Sequence, residues 1–187
     1  VTTIPTPKPT PTPIATPTPK PTPTNSSRVR IDNSYVAGAD WEPIIIVNNP
    51  DAKDPSWDQL VRFLKQDDTD KHKYDFGSFV CADFAEMLHN KAEKAGWKAA
   101  YVCVKLGPCN YRPRNSSHAL NAFETTDRGI VYIDCVRPIS GSISNSDKVV
   151  DVEVGKEYIP ESIFPEPGWS SVWESIGKVT EIETTQW

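Results

Sequence analysis

Proline occupies nearly every second position between Pro5 and Pro23, where it alternates mainly with threonine. Nine of the 18 prolines lie in this segment. Each proline fixes φ and removes a backbone donor, so residues 1–24 are expected to form neither helix, nor sheet, nor core. They are predicted to be a disordered, extended spacer of up to about 70 Å, at roughly 3.1 Å per residue. We therefore divide the chain into a Thr/Pro-rich linker at residues 1–27 and one domain at residues 28–187.

The composition of the chain excludes some partners and indicates a location. A net charge of −5 without a basic cluster argues against a nucleic-acid partner. The apolar run at residues 44–47 is too short to span a bilayer. Thr/Pro stalks typically hold a domain away from a cell surface or from another domain, so we expect an extracellular or surface-attached protein. The remainder, about 160 residues, is long enough to bury a sizeable core.

The pattern of apolar residues predicts helices followed by antiparallel strands. The first helix should begin either at Asp54 with Pro55 or at a capping box formed by Ser56 and Gln59. Its apolar face, at i, i+3, i+4 and i+7, consists of Trp57, Leu60, Val61 and Leu64. Strands are predicted at residues 44–47, 99–104, 118–123, 130–135, 149–154 (an edge strand) and 179–183. The segment 160–173 is expected to be irregular, with its tryptophans covering the core.

A second helix is predicted to begin close to Cys81. Ser78 is the expected N-cap and Gly96 the expected terminator. The apolar face consists of Val80, Phe84, Leu88, Ala92 and Ala95. Cys81 would then lie in the first turn, where the helix dipole favours an anion and lowers the pKa of a thiol below its usual value of roughly 8.5. The alternative is a small buried residue in an amphipathic helix.

The two strands after this helix bring a histidine close to an aspartate. If residue 124 pairs with one of residues 128–130, then His118 lies opposite a residue between 134 and 136. Opposed side chains share a face of the sheet and lie about 4.5–5.5 Å apart, so His118 and Asp134 can meet. An aspartate at one imidazole nitrogen fixes the tautomer and leaves the other nitrogen for a nucleophile. Cys81, His118 and Asp134 therefore form a candidate catalytic set.

These residues resemble the transglutaminase-like superfamily with its papain-like fold. The resemblance rests on Cys81 followed by Ala-Asp-Phe-Ala, on His118-Ala119 in a strand, and on Tyr-Ile before Asp134, and it covers roughly residues 55–136. It implies an α+β fold with the cysteine helix packed on an antiparallel sheet. It also implies that Cys81 is the nucleophile, His118 the general base and Asp134 the orienting carboxylate. Members hydrolyse amide bonds or transfer the acyl group to an amine. The backbone N–H of Cys81 is a candidate oxyanion donor.

The other chemically versatile residues are interpreted more simply. His89 is expected to be a surface histidine, and His72 a loop residue without an orienting partner. Residues 67–70 lack the spacing of a calcium loop and are read as a solvated loop. Cys103, Cys109 and Cys135 lack C-x-x-C spacing, so no metal or cofactor is expected. A Cys109–Cys135 disulfide and buried, reduced thiols are both compatible with the sequence.

Two functions are compatible with the sequence. The leading interpretation is a thiol-dependent amide or peptide hydrolase or acyltransferase that acts on a peptide, protein or cell-wall substrate. The alternative is a catalytically inactive surface interaction module on the same fold, since one scaffold can carry many functions.

Overall fold

The computed structural model describes residues 25–31, 34–110, 113–137, 145–168 and 170–185. Its strands are β1 (Asn25–Arg28), β2 (Arg30–Ile31), β3 (Ser34–Tyr35), β4 (Ile45–Asn48), β5 (Ala100–Leu106), β6 (Ser116–Thr125), β7 (Gly129–Asp134), β8 (Lys148–Val150), β9 (Pro160–Ser162) and β10 (Val179–Thr184). Its helices are α1 (Trp57–Gln66), a short 3₁₀ turn (Thr69–Lys71) and α2 (Cys81–Ala95). The predicted spacer at residues 1–24 lies outside the described residues. The boundary predicted after residue 27 falls inside β1.

A six-stranded antiparallel sheet forms the centre of the domain, in the order β10-β5-β6-β7-β8-β9. Two smaller ladders, β1 with β4 and β2 with β3, lie outside it. The predicted closing strand is confirmed as β10, which pairs with β5. The predicted edge strand at residues 149–154 is wrong, because β8 covers only three residues and lies between β7 and β9.

The two helices pack on this sheet, which confirms the α+β class. Leu60 and Leu64 of α1 join Phe84 and Leu88 of α2 against Phe123 and other residues of the sheet. A second cluster holds alternate residues of β5 and β6 together with Tyr158. The sheet is thus apolar on both faces, as expected when each is covered. Within the described part of the chain, no helix is long and apolar enough to cross a membrane.

Helix α1 begins as its sequence predicts, whereas α2 uses a different cap. The capping box of Ser56 and Gln59 is present. Ser78 is not the N-cap of α2, because it lies in a tight turn where its N–H donates to Asp75 O. Val80 takes the N-cap position, and the carboxylate of Asp83 accepts the Val80 N–H at 2.8 Å. The predicted end at Gly96 is confirmed, with φ of 90° in the left-handed region that glycine favours.

Polar side chains of α2 complete the backbone hydrogen bonding of β4. Glu86 Oε1 accepts the Ile45 N–H, and Asn90 exchanges two bonds with Ile45 O and the Val47 N–H. Glu86 and Asn90 of α2 therefore cover the edge of β4 instead of facing solvent. The prediction of His89 as a surface residue is wrong, because its side chain is fully buried and its Nδ1 lies 3.2 Å from Asn90 Oδ1. Burial lowers the pKa of His89 and favours its neutral form.

The interpretation of residues 67–70 as a solvated loop is also wrong. Thr69 and Asp70 are buried, and the carboxylate of Asp70 accepts the backbone N–H of Ser146 at 2.6 Å. The partner lies 76 positions further along the chain, so local sequence contains no sign of this burial.

Candidate active site

Cys81 is the first residue of α2, with a partly exposed side chain. The preceding cap fixes its backbone, because Asp83 accepts N–H bonds from both Val80 and Ala39. A side chain at Gly38 would collide with this carboxylate, so glycine is needed there. The thiol thus lies at the positive end of the helix dipole, beside backbone N–H groups that have no intrahelical acceptor.

The β6–β7 ladder brings His118 to Asp134, as predicted. Asn121 lies opposite Ile133 and Glu124 opposite Ile130. Continuing this register puts Asp134 diagonal to His118 on one face, within reach of an imidazole. The His118 Nε2 to Asp134 Oδ2 distance is 3.0 Å. Because an ionised carboxylate only accepts hydrogen bonds, Nε2 carries the proton and Nδ1 remains for another partner.

Cys81 lies close enough to His118 for each group to shift the pKa of the other. The backbone of Ala119, the next residue of β6, also lowers the pKa of the Cys81 thiol. Thiol, imidazole and carboxylate therefore form one series in which each group interacts with the next. The structure brings together all three residues that the sequence singled out.

The electrostatics of the series favour a thiolate and an imidazolium. Burial alone would raise the pKa of the Cys81 thiol, but the hydrogen bond and charge of His118 outweigh it, and the pKa falls below its usual value. Burial alone would lower the pKa of His118, but the charge of Asp134 and its hydrogen bond raise that pKa to about 10. Burial would likewise raise the pKa of Asp134, yet Lys148 and His118 hold it far below its ordinary value.

Two partners of Asp134 were missed by sequence reasoning. The hydroxyl of Tyr158 donates to Asp134 Oδ2 at 3.0 Å, and its ring packs edge-on against His118 at a centroid distance of 5.4 Å. The ammonium of Lys148 lies 3.6 Å from Oδ1, and the Val136 N–H donates to the same oxygen at 2.9 Å. Both carboxylate oxygens thus have partners. Lys148 and Tyr158 reach the site only because β8 lies beside β7 and the chain after β8 returns to it.

The remaining histidine and cysteines are not part of this series. His72 stacks on Phe79 at a centroid distance of 4.9 Å. All four cysteines are free thiols, so the structure matches the reduced alternative and contains no Cys109–Cys135 bond. The thiol of Cys135 is buried and lies 3.8 Å from Phe84 O. Burial and the neighbouring charge of Cys81 raise the pKa of Cys103 to about 12.

A cavity of about 270 Å³ opens next to His118 and Asp134. Its described lining does not include Cys81. Its walls are formed largely by apolar and aromatic side chains, namely Tyr74, Phe76, Val136, Pro160, Trp173 and Ile176. The tryptophan region predicted only to cover the core therefore also borders the site.

No family model, curated protein or solved structure matches the chain. Among the described residues, no group of three or more His, Cys, Asp or Glu side chains is arranged to hold a metal ion.

Proposed function

We propose that this chain is a thiol-dependent amide or peptide hydrolase or acyltransferase of the transglutaminase-like kind, built on a papain-like fold. The series of Cys81, His118 and Asp134, in which each group interacts with the next, carries the proposal. A binding module has no need of a thiol at a helix N-terminus, an imidazole against it and a buried carboxylate behind the imidazole. The Thr/Pro-rich linker supports an extracellular or surface-attached setting with a peptide, protein or cell-wall substrate.

The chemistry proceeds through a thioester. The Cys81 thiolate forms an S–C bond to the amide carbonyl carbon, and the carbonyl π electrons move to oxygen. The Cys81 N–H, in the first turn of α2, is a candidate donor to this oxyanion. When the intermediate collapses, the C–N bond breaks and His118 gives its proton to the departing amine. Water or a second amine then attacks the thioester, His118 takes a proton from it, and the thiolate leaves.

Acylation by p-nitrophenyl acetate tests the proposal without knowledge of the natural substrate. We expect a burst of p-nitrophenolate and an acetyl group on the peptide that contains Cys81, both detected within one turnover. Cys81→Ala should abolish the burst, whereas Cys103→Ala, which removes a nearby thiol of raised pKa, should keep it. A wild-type protein whose Cys81 stays unacetylated would favour the inactive interaction module instead.

A further inference from the structure

The cavity beside His118 borders His118 and Asp134 but not Cys81. In the proposed reaction the acyl carbon is bonded to Cys81, whereas the amine nitrogen receives its proton from His118. We therefore expect the amine side of the scissile bond to lie towards the cavity and the acyl side to lie away from it.

The walls of the cavity offer mainly apolar surface, and one of them is firmly held. The indole N–H of Trp173 donates to Ser162 Oγ at 2.8 Å, and its backbone N–H donates to Pro160 O at 2.9 Å. With its donor already used, this ring presents only carbon surface to an occupant. The ammonium of Lys148 lies 5.2 Å from the ring centroid, which fixes the indole further.

Another part of the lining comes from the segment just before α2. The ring of Tyr74 is stacked on Phe84 of α2 at 6.3 Å and meets Phe76 edge-on at 5.3 Å. Phe76 itself is 76% exposed, which is unusual for a large aromatic side chain. An occupant of the cavity in contact with Phe76 would cover this exposed ring.

The size of the cavity and the pairing of its charges point to a neutral, ring-sized occupant. An apolar cavity of about 150 Å³ is enough to bind benzene, and this one is larger. The charged groups that line the cavity already have partners. Lys148 lies 3.6 Å from Asp134 and donates to two backbone carbonyls. Arg137 donates to Lys71 O at 3.4 Å, and Glu174 also interacts with another group. A charged occupant would have to compete with these partners, whereas an apolar one would not.

We propose that this cavity is the subsite for the amine side of the substrate, and that it selects an amine bearing an aromatic or large apolar side chain. The inference rests on the proposed thiol chemistry and adds to it a specificity that the three reacting residues do not determine. Trp173 and Phe76, which both line the cavity, act as specificity-determining residues.

Partitioning of the acetyl-enzyme between two amines tests the subsite. The enzyme is acetylated with p-nitrophenyl acetate and desalted, and then given L-phenylalaninamide or glycinamide, whose attacking amines are alike. Mass spectrometry follows the loss of acetyl from Cys81 and the formation of each N-acetyl product. We expect L-phenylalaninamide to react at least about tenfold faster, the effect that even one methylene can have in a hydrophobic pocket.

The variants are compared by the ratio of the two amine rates within each protein, so differences in acetylation cancel. Trp173→Ala and Phe76→Ala should bring the ratio close to one, while Trp41→Ala should keep it, since Trp41 is 88% exposed and outside the cavity lining. Phe76→Ala alters an exposed ring and keeps the test valid if Trp173→Ala misfolds. Acetyl-Cys81 that reacts equally with both amines overturns the subsite alone. Failure to form acetyl-Cys81 overturns the proposed function, and the subsite with it.

Discussion

Two buried carboxyl groups near Lys148, those of Asp134 and Asp147, differ in how their charge is balanced. Asp134 is 3% exposed and Asp147 2% exposed, so burial is nearly the same. Asp134 has His118, Tyr158 and Lys148 as partners, and its pKa is held far below the ordinary value. Burial and the charge of Asp70 instead raise the pKa of Asp147 to about 8.

The comparison shows that burial does not decide whether a carboxyl is charged. Burial disfavours the ionised form in both places, and the number of donors and cations determines the outcome. Asp147 Oδ2 and Asp70 Oδ1 are buried without a hydrogen-bond partner in the described structure. Asp134 is thus kept as an anion that can orient an imidazolium, whereas Asp147 is kept as a neutral acid at pH 7. Four substitutions test this difference.

The largest effect is expected from Asp134→Asn. The amide keeps the shape of the side chain but removes the charge that holds Nε2–H of His118, so the imidazole loses its tautomer and orientation. By analogy with the same change in the serine-protease triad, turnover should fall by about 10⁴. Steady-state rates and circular dichroism are measured together on this variant and on Asp151→Asn, an exposed control. A folded Asp134→Asn variant with near-normal turnover would remove the carboxylate from the mechanism.

Lys148→Met removes the cation shared by the two groups. Lys148 is 3% exposed and donates to Val136 O and Ser146 O at 2.7 Å each. Breaking a buried charge pair on one side typically costs about 3–5 kcal/mol, and we expect a loss of that order in the free energy of unfolding, measured with urea at pH 7. Lys156→Met, at an exposed ion pair with Asp151, should leave the urea midpoint unchanged. Equal midpoints for both variants would contradict the role assigned to Lys148.

The effect of His118 on the thiol can be measured from alkylation rates. At pH 6 an ordinary thiol is almost wholly protonated, and Cys103, with its pKa raised to about 12, is more so. Cys81 should therefore be labelled about 100-fold faster than Cys103 by limiting iodoacetamide, as measured by peptide mass spectrometry. His118→Ala should lose this preference and recover reactivity only towards pH 8–9. Labelling of Cys103, Cys109 or Cys135 ahead of Cys81 in the wild type would identify Cys81 as an inert core residue.

Sequence alone was sufficient to select Cys81, His118 and Asp134 because the elements that carry them follow local patterns. Helical spacing of apolar residues located the start of α2 to within two residues, since Val80 and not Ser78 is the N-cap. The predicted turn between β6 and β7 narrowed the register to three possibilities, and the structure has the one in which Glu124 lies opposite Ile130. These patterns span fewer than 20 positions each, and hydrophobic periodicity is strong over such lengths.

The residues around them could not be predicted in the same way. Lys148 and Tyr158 act through the strand order β7-β8-β9, which no local pattern specifies. His89 and Asp70 were assigned to solvent because polar residues usually lie there, yet both are buried, and Asp70 accepts the backbone N–H of Ser146. For Asp70 this partner lies 76 positions away in the chain.

Asp147→Asn should give the smallest effect and tests the second half of the comparison. The folded-state pKa of Asp147, about 8, lies above its ordinary value of 3.8, so the folded protein retains a proton that the unfolded chain releases. This contribution to stability is full below pH 3.8 and is lost as the pH rises through 8. Asparagine has no such proton and can donate to the unpartnered oxygen of Asp70. The variant should therefore gain melting temperature relative to the wild type between pH 5 and pH 8, by a few degrees at pH 8. Thermal unfolding at both pH values, at constant ionic strength and with Asp151→Asn as the control, measures the change. If the difference between Asp147→Asn and the wild type is the same at pH 5 and pH 8, then Asp147 is ionised in the folded protein, and its charge is balanced as well as that of Asp134.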